Sequence, residues 1–288
     1  MSKIFNLLES IGMTTNKTSE LFANSTRDMN NLKVYKDSVS DVIYIDNFFI
    51  GDDIYSDGAY REKQATSPGA SLEDRADCKR RINDFSKYYH NKVICDFGCG
   101  EGTFLSESLE HTQKSFGVEL QENYVKELNR KDINCFKSIS DIPENLDSCF
   151  LFHVLEHLEN PISHLETIRS KLADKGQVVI EVPHARDFLI KKLKIDEFIK
   201  FTLWSQHLIL HTRESLTAVL KEAGFKNIEI HGVQRFSIAN HMQWMKDKTP
   251  GGHRGELQSI ETPELRSAYQ ESLNKIDATD TLIAIAER

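Results

Sequence analysis

The chain has few cysteines, and their spacing excludes the sites that cysteines usually build. Only five occur in 288 residues. No two of them are separated by two residues, as a zinc knuckle requires, and an odd number does not fit a closed disulfide framework. We therefore expect reduced, buried side chains at all of them, namely Cys78, Cys95, Cys99, Cys135 and Cys149.

The sequence also lacks runs of basic residues and long apolar stretches. Its formal net charge is -8, so it would attract the phosphates of a nucleic acid only weakly. Glu9 interrupts the N-terminal residues where a secretory signal would stay apolar, and no other stretch has the length of a membrane span. We expect a cytoplasmic protein with no nucleic-acid partner and no membrane span.

From Lys92 onward the sequence alternates regularly between short apolar strands and amphipathic helices. The predicted strands are Val93 to Phe97, Ser115 to Glu119, Asn134 to Lys137, Ser148 to His153, Gly176 to Val182, Lys226 to Gly232 and Thr281 to Ala286. The predicted helices, one of them before the alternation, are Ser71 to Tyr89, Thr103 to His111, Glu122 to Arg130, Pro161 to Ala173 and Arg213 to Ala223. Apolar strands separated by helices favour a parallel sheet covered on both faces. The predicted fold class is therefore α/β, with a doubly wound, mostly parallel sheet.

A glycine-rich loop follows the first of these strands and reads Asp96-Phe-Gly-Cys-Gly-Glu-Gly102. Glycines let a backbone approach a ligand closely, and ligands bind at the carboxyl ends of strands in open α/β sheets. The dinucleotide fingerprint needs a glycine where Thr103 stands. Asp96 would repel a pyrophosphate but suits an ammonium group. The loop therefore favours S-adenosylmethionine, which carries an ammonium and a sulfonium, over a dinucleotide.

A second carboxylate stands at the end of the next predicted strand, about where a ribose would lie in this architecture. Glu119 can accept hydrogen bonds from two vicinal hydroxyls, and Leu120 beside it can pack on adenine. A solvated glutamate at a strand end is the alternative interpretation. Its spacing from the glycine loop favours the ribose ligand.

Four motifs follow one another in the order seen in class I S-adenosylmethionine-dependent methyltransferases. They are Asp96 to Gly102, Gly117 to Glu119, Phe152 to Leu158 with Asn160-Pro161, and Gly176 to Pro183. The chain resembles this family over roughly residues 90 to 232, and most of all the branch with ubiquinone-type O-methyltransferases and sugar methyltransferases. The resemblance implies a Rossmann-like core and a methyltransferase activity.

The same resemblance implies a cofactor site, residue by residue. Asp96, Gly98 and Gly100 would contact the methionine moiety, and Glu119 would hold the ribose. The pair after the third strand would meet adenine, and the residue that ends the fourth would approach the cofactor through its backbone. The full set implied to bind the cofactor is Asp96, Gly98, Gly100, Glu119, Leu120, Asp141, Ile142 and His153.

Four regions follow from the pattern and the resemblance. They are an N-terminal extension over residues 1–80, with a hairpin of Leu32 to Tyr35 and Val42 to Ile45, a Rossmann-like cofactor-binding core over 81–235, an insertion over 236–280 and a last core strand over 281–288. We expect the extension to act as a lid or as an acceptor-side element. We expect the insertion to bind the acceptor.

Histidines are the candidate general bases. Methyl transfer from a sulfonium is an in-line displacement, so a protein positions the reactants and supplies a base for a hydroxyl acceptor. His207, after the fifth strand, is the first predicted base and His153 the second, whereas His157 is interpreted as structural. His207 and His211 have the spacing of one helical turn, but no carboxylate companion is evident, and no metal site is predicted.

The segment from Arg235 to Glu256 is predicted to recognise a phosphate of the acceptor. Four basic residues oppose two acidic ones there, a local excess of positive charge in an acidic chain. The glycines of the segment expose amides that can cradle an anion. The residues predicted to bind the acceptor are His211, Arg235, Trp244, Lys248, His253 and Arg254.

The predicted function is O-methylation of a small molecule, a carbohydrate or a nucleotide-linked sugar, within carbohydrate biosynthesis. One alternative is O-methylation of a quinone or phenol, which would need an apolar acceptor pocket. A second is a scaffold that binds the cofactor without turnover, because binding motifs do not prove chemistry. A NAD-dependent oxidoreductase is the third. The sequence does not identify the methylated atom, and it is compatible with an assembly of identical chains.

Overall fold

The computed structural model describes residues 3–49, 51 and 70–288 and contains two sheets. Its strands are β1 (Ser19–Ala23), β2 (Val34–Asp37), β3 (Ile43–Ile45), β4 (Val93–Phe97), β5 (Lys114–Val118), β6 (Asn134–Phe136), β7 (Leu146–Phe152), β8 (Leu172–Pro183), β9 (Ile209–Leu210), β10 (Lys226–Val233) and β11 (Thr281–Glu287). The core strands predicted from apolar runs are therefore present, with ends that differ by a few residues.

The helices include those predicted from the sequence and several that were not predicted. They are α1 (Lys3–Ser10), α2 (Ala70–Asp84), α3 (Ser86–Tyr89), α4 (Thr103–Ser108), α5 (Glu122–Arg130), α6 (Pro161–Lys171), α7 (Phe188–Lys191), α8 (Asp196–Thr202), α9 (Arg213–Glu222), α10 (Ile238–Asp247) and α11 (Pro263–Lys275). Thr212 caps α9 in a reciprocal arrangement with Ser215, and Gly224 adopts a left-handed φ of 84° just beyond its end. The predicted helix from Ser71 to Tyr89 is divided into α2 and α3.

The large sheet has seven strands in the order β6-β5-β4-β7-β8-β11-β10. The strands from β4 to β8 pair in parallel, and β11 pairs antiparallel with both of its neighbours. Successive residues of β4 pack on opposite faces, Ile94 with Phe104 and Cys95 with Leu165. The prediction of a doubly wound, mostly parallel sheet is confirmed.

The small sheet has the order β1-β2-β3-β9, and all of its pairs are antiparallel. The predicted hairpin is its centre, with Val34 opposite Ile45. Two strands were not predicted: β1, which lies in a polar stretch, and β9, which has two residues. Because β9 comes directly after His207 and Leu208, the small sheet holds this segment beside the large one.

The segment between β10 and β11 contains α10 and α11. The first of these helices ends at Asp247, and Lys248 follows with a left-handed φ of 59°. The α-helical structure is interrupted around Pro250, between these two helices. The chain then returns to the sheet as β11, between β8 and β10.

Within the described ranges all five cysteines are free thiols, and four of them are buried while Cys99 is partly exposed. Among the helices of residues 3–49, 51 and 70–288, none is long and apolar enough to span a membrane.

Candidate functional site

The glycine loop joins the carboxyl end of β4 to α4 and takes a shape that glycine alone adopts readily. Gly98, Gly100 and Gly102 have φ values of 79°, 55° and 71°, which place all three in the left-handed region. A Cβ on Gly98 would lie 2.5 Å from a methyl of Val154. The predicted cofactor loop is therefore a tight turn packed against the segment that follows β7.

Asp96 stands within β4 just before this loop, and its side chain is 3% exposed. Among the described residues, no group forms a hydrogen bond with its Oδ1. Burial and the charge of Glu119 together raise the pKa of Asp96 to about 7, against the opposing charge of Arg81. A buried carboxyl with a vacant acceptor atom fits the positively charged amino group that the motif predicts.

Glu119 follows β5 and is hydrogen-bonded to the loop itself. Its Oε2 accepts a hydrogen bond from the backbone N–H of Gly100 at 2.9 Å, and its Oε1 accepts one from Gln121 at 2.9 Å. Each carboxylate oxygen has a second lone pair, so hydroxyls of a ribose can still bind. Leu120 is 41% exposed and offers apolar surface beside them.

The pair implied to meet adenine lies in a short turn after β6. Asp141 is exposed, whereas Ile142 is buried in the core. The backbone carbonyl of Ile142 accepts a hydrogen bond from Lys171 at 2.8 Å. The Ile142 side chain therefore offers no surface to adenine, and the implied contact of this pair with adenine stays a prediction for Asp141 and the backbone of Ile142.

His153 follows β7 directly, with a left-handed φ of 56°. Its Nδ1 lies 3.1 Å from Oε1 of Glu156, and its Nε2 lies 2.8 Å from Nη1 of Arg235 and 3.2 Å from Oε1 of Glu181. Burial and the charge of Arg235 lower its pKa, but the hydrogen bonds to Glu156 and Glu181 outweigh them, so the net shift is upward. The side chain is 23% exposed, which leaves the ring open to the site.

A buried charge cluster packs behind His153. Glu181 of β8 is fully buried and binds Arg80 at 2.7 Å and Arg81 at 2.6 Å, both from α2. Asp77 of α2 pairs with Arg235, whose Nε lies 3.0 Å from its Oδ2. The prediction of Arg235 as a phosphate ligand is corrected, because its guanidinium is already committed to Asp77 and His153.

Of the other predicted histidines, His207 is half-buried and His211 is fully buried. Burial lowers the pKa of His207 to about 3, with a further contribution from the positive charge of His157. A neutral imidazole of such low basicity is a weak proton acceptor near neutral pH, so the first choice of general base is corrected. His211 is fully buried, and its Nδ1 lies 3.1 Å from Oγ of Ser215. His211 therefore contacts the first turn of α9 and offers no surface to an acceptor.

His207 nevertheless belongs to a side-chain group that the sequence did not reveal. Donor atoms of Glu156, His157 and His207 all lie within 4.8 Å of one another. Spacing along the sequence does not pair His207 with this carboxylate, since Glu156 comes 51 positions earlier in the chain. No spacing signal could have joined them, because the fold alone brings the two segments together.

The remaining predicted acceptor residues divide between the core and the surface. Trp244 is 2% exposed and packs edge-on against Phe198 at 5.1 Å between ring centroids. His253 and Arg254 both contact Oε1 of Glu73, each at 2.6 Å. Stacking of Trp244 on a ligand and anion binding by Arg254 are therefore corrected. Lys248 is exposed at the end of α10.

Comparison with known proteins identifies a family for the central part of the chain. A family model described as a methyltransferase domain matches residues 71–230. The chain is similar to a curated tRNA U34 carboxymethyltransferase of Pseudoalteromonas atlantica, with 21% identity over 213 residues, 66% of this chain and 65% of that protein. It therefore spans less than two thirds of the length of that relative.

Two solved structures share the fold. One is a SAM dependent methyltransferase from Archaeoglobus fulgidus, 22% identical with a TM-score of 0.52, covering 74% of this chain and 94% of its own. The other is magnesium protoporphyrin IX methyltransferase from Synechocystis PCC 6803, solved with bound SAH and 12% identical, with a TM-score of 0.51 over 82% of this chain and 97% of its own. At these identities the likeness is one of fold.

Proposed function

The chain belongs to the methyltransferase domain family, and from this premise we propose that its donor and acceptor meet between the glycine loop and His153. Membership of the family shows the methyltransferase class, and the glycine loop with Glu119 supports S-adenosylmethionine as the cofactor. When bound, this cofactor supplies a methyl group on a sulfonium, which a nucleophile can displace in line. The protein has to hold the two reactants and exclude water.

One observation carries the proposed donor site, namely the meeting of Asp96, Gly100 and Glu119 at the carboxyl ends of β4 and β5. The loop glycines leave room for a ligand close to the backbone. Asp96 keeps an unpaired oxygen for the amino group, while Glu119 keeps lone pairs for the ribose hydroxyls. These are the groups that the donor needs at its two ends, so the residues present fit it.

His153 is the side chain that we propose contacts the acceptor. It stands at the carboxyl end of the neighbouring central strand, and its ring is partly exposed, with Nδ1 beside Glu156 and Nε2 beside Arg235 and Glu181. These contacts fix the ring, so that its exposed edge can position an acceptor in line with the methyl group, which is the main contribution a protein makes to such a transfer. His153 therefore replaces His207 as the histidine that we propose acts on the acceptor.

We further propose a small molecule methylated on oxygen as the acceptor. The carbohydrate version has lost much of its support, because Arg235 pairs with Asp77 and Arg254 with Glu73. It now rests on the branch resemblance and on Lys248 alone. The quinone or phenol version is the alternative. A nucleic acid is disfavoured as the acceptor by the net charge of -8. Because one relative is named for its action on tRNA, tRNA is included in the test as a control substrate.

Two measurements test this function. Calorimetry with S-adenosylhomocysteine should show binding to the native chain and a loss of at least about tenfold on Glu119→Gln, the scale for hydrogen bonds to a charged group. Turnover on a panel of sugars, nucleotide sugars, catechols, quinols and tRNA should then identify the acceptor class. If His153→Gln retained full kcat on the active acceptor, the assignment of His153 would be withdrawn. If no acceptor were methylated although the donor bound, the scaffold would be favoured.

A further inference from the structure

Three potential metal ligands from two separate segments meet beside β7. Glu156 and His157 lie in the short turn Leu155–His157 that follows this strand, and His207 lies just before β9. One donor atom from each side chain falls within 4.8 Å of the others. The separation allows a single ion to contact all three after small side-chain rotations.

Two atoms of this group are buried without a hydrogen bond. Within residues 3–49, 51 and 70–288, neither Oε2 of Glu156 nor Nδ1 of His207 has a hydrogen-bond partner. Buried polar atoms are nearly always paired, and an exception calls for an explanation such as an ion. Both unpaired atoms belong to the same cluster and are of types that coordinate metals. A single bound ion would satisfy both.

We propose that Glu156, His157 and His207 bind one divalent transition-metal ion, with Zn²⁺ as the reference ion. Two imidazoles and one carboxylate form the ligand set typical of zinc and iron(II). Ca²⁺ and Mg²⁺ are excluded as the natural occupants, since they prefer oxygen ligands alone. The cluster is therefore a candidate site for a nitrogen-binding metal.

The surroundings hold these ligands in place. The backbone N–H of Leu208 donates to the carbonyl oxygen of Glu156 at 2.8 Å, which joins the two ligand-bearing segments directly. Oε1 of Glu156 also lies 3.1 Å from Nδ1 of His153. Such an outer hydrogen bond orients a ligating carboxylate. The proposed ion would therefore be supported by β7, by the small sheet and by the site histidine.

Three protein ligands leave a coordination position open, as in catalytic zinc sites. We assign this position to water or to an oxygen of the acceptor, an assignment that rests on the proposed function. The neighbouring His153 already stands at the proposed acceptor position. Metal binding itself does not depend on which acceptor is used, so the two proposals can be tested separately.

The direct test is metal titration of the full chain after treatment with a chelator. Calorimetry with ZnCl2 and visible absorption with CoCl2 should both show one ion per chain. Glu156→Gln and His207→Gln should each weaken Zn²⁺ binding by at least about tenfold. His164→Gln is the matched control, because His164 is an exposed histidine of α6 outside the cluster, and it should bind as the native chain does.

A thermal scan guards against variants that fail to fold. Zn²⁺ should raise the melting temperature of the native chain and of His164→Gln, but not that of folded Glu156→Gln. Failure of the native chain to bind either ion at 100 µM, or equal affinity in the cluster variants, would overturn the proposal. If Zn²⁺ bound as expected but no acceptor were methylated, the metal site would stand and the proposed function would fall. If the native chain bound no metal but methylated an acceptor, the metal site would fall and the proposed function would stand.

Discussion

Asp96→Asn is the substitution that most directly tests the cofactor site, because the carboxyl it removes has an unusual pKa. In the ligand-free protein this pKa lies at about 7, so roughly a tenth of the molecules carry the charge at pH 6 and a hundredth at pH 5. Only the ionised form attracts an amino cation. Binding of S-adenosylmethionine should therefore weaken about tenfold for each pH unit below 7.

The charged and titratable groups around Asp96 determine the pH at which cofactor binding begins to weaken. Arg81 and Cys78 face it from α2, and Glu119 faces it from the end of β5. Burial raises the pKa of Cys78 to about 11, so this thiol stays neutral throughout. Glu119→Gln removes a negative charge that raises the pKa of Asp96. It should shift the midpoint to lower pH while keeping the slope.

The assay is calorimetry with S-adenosylhomocysteine from pH 5 to 7, in two buffers of different ionisation enthalpy. The native chain should release a proton on binding below pH 7, and Asp96→Asn should bind more weakly at pH 7 with no slope. A native affinity independent of pH, or an unchanged slope in Asp96→Asn, would refute the assignment of Asp96 to the amino group.

The same pKa makes a second, independent claim about stability. A carboxyl whose pKa is raised on folding opposes folding once it ionises, so its penalty is absent below pH 3.8, grows up to pH 7 and persists above it. The shift corresponds to at most about 4 kcal/mol. Asp96→Asn should therefore raise the melting temperature of the ligand-free protein at pH 8 and leave it unchanged near pH 4.

Four further substitutions test separate parts of the structure. Glu119→Gln should weaken donor affinity by about 1.5–3 kcal/mol, ten- to a hundredfold by calorimetry, and an unchanged dissociation constant would remove Glu119 from the ribose site. Glu181→Gln should lower the free energy of unfolding in urea by about 3–5 kcal/mol, because the largely buried guanidiniums of Arg80 and Arg81 lose the charge of the carboxylate they share. Glu127→Gln, in an exposed pair with Lys131, should leave it nearly unchanged, because solvent screens the pair. Trp244→Ala should cost about 3–5 kcal/mol of stability, and a raised KM at normal stability would restore its predicted acceptor role.

The cofactor half of the site could be predicted because its signals are local. Asp96, the loop glycines and Glu119 lie at the ends of two strands that apolar runs mark clearly, and the parallel pairing of β4 with β5 brings those ends together. The glycines of the motif also have a physical reason, since the loop has left-handed backbone at Gly98, Gly100 and Gly102. Motif and geometry agree wherever one strand and its loop contain the whole feature.

The acceptor half could not be predicted because its contacts join distant segments. Counting charges between Arg235 and Glu256 gave a basic excess, but the count could not show that Asp77 and Glu73 of α2 neutralise two of the basic residues. The same applies to β9, which has only two residues and is fixed by pairing with β3. Whether a basic side chain is neutralised, and whether a two-residue strand forms, depends on partners that the spacing along the sequence does not reveal.

A single carboxylate connects these distant parts. Glu181 binds Arg80 and Arg81 of α2, and its Oε1 also lies 3.2 Å from Nε2 of His153. Because Glu181 is fully buried, its charge is weakly screened and its partners are fixed relative to one another. A change in α2 therefore has a direct route to the orientation of His153. In this sense α2 is part of the proposed acceptor site, even though no motif of the cofactor loop includes it.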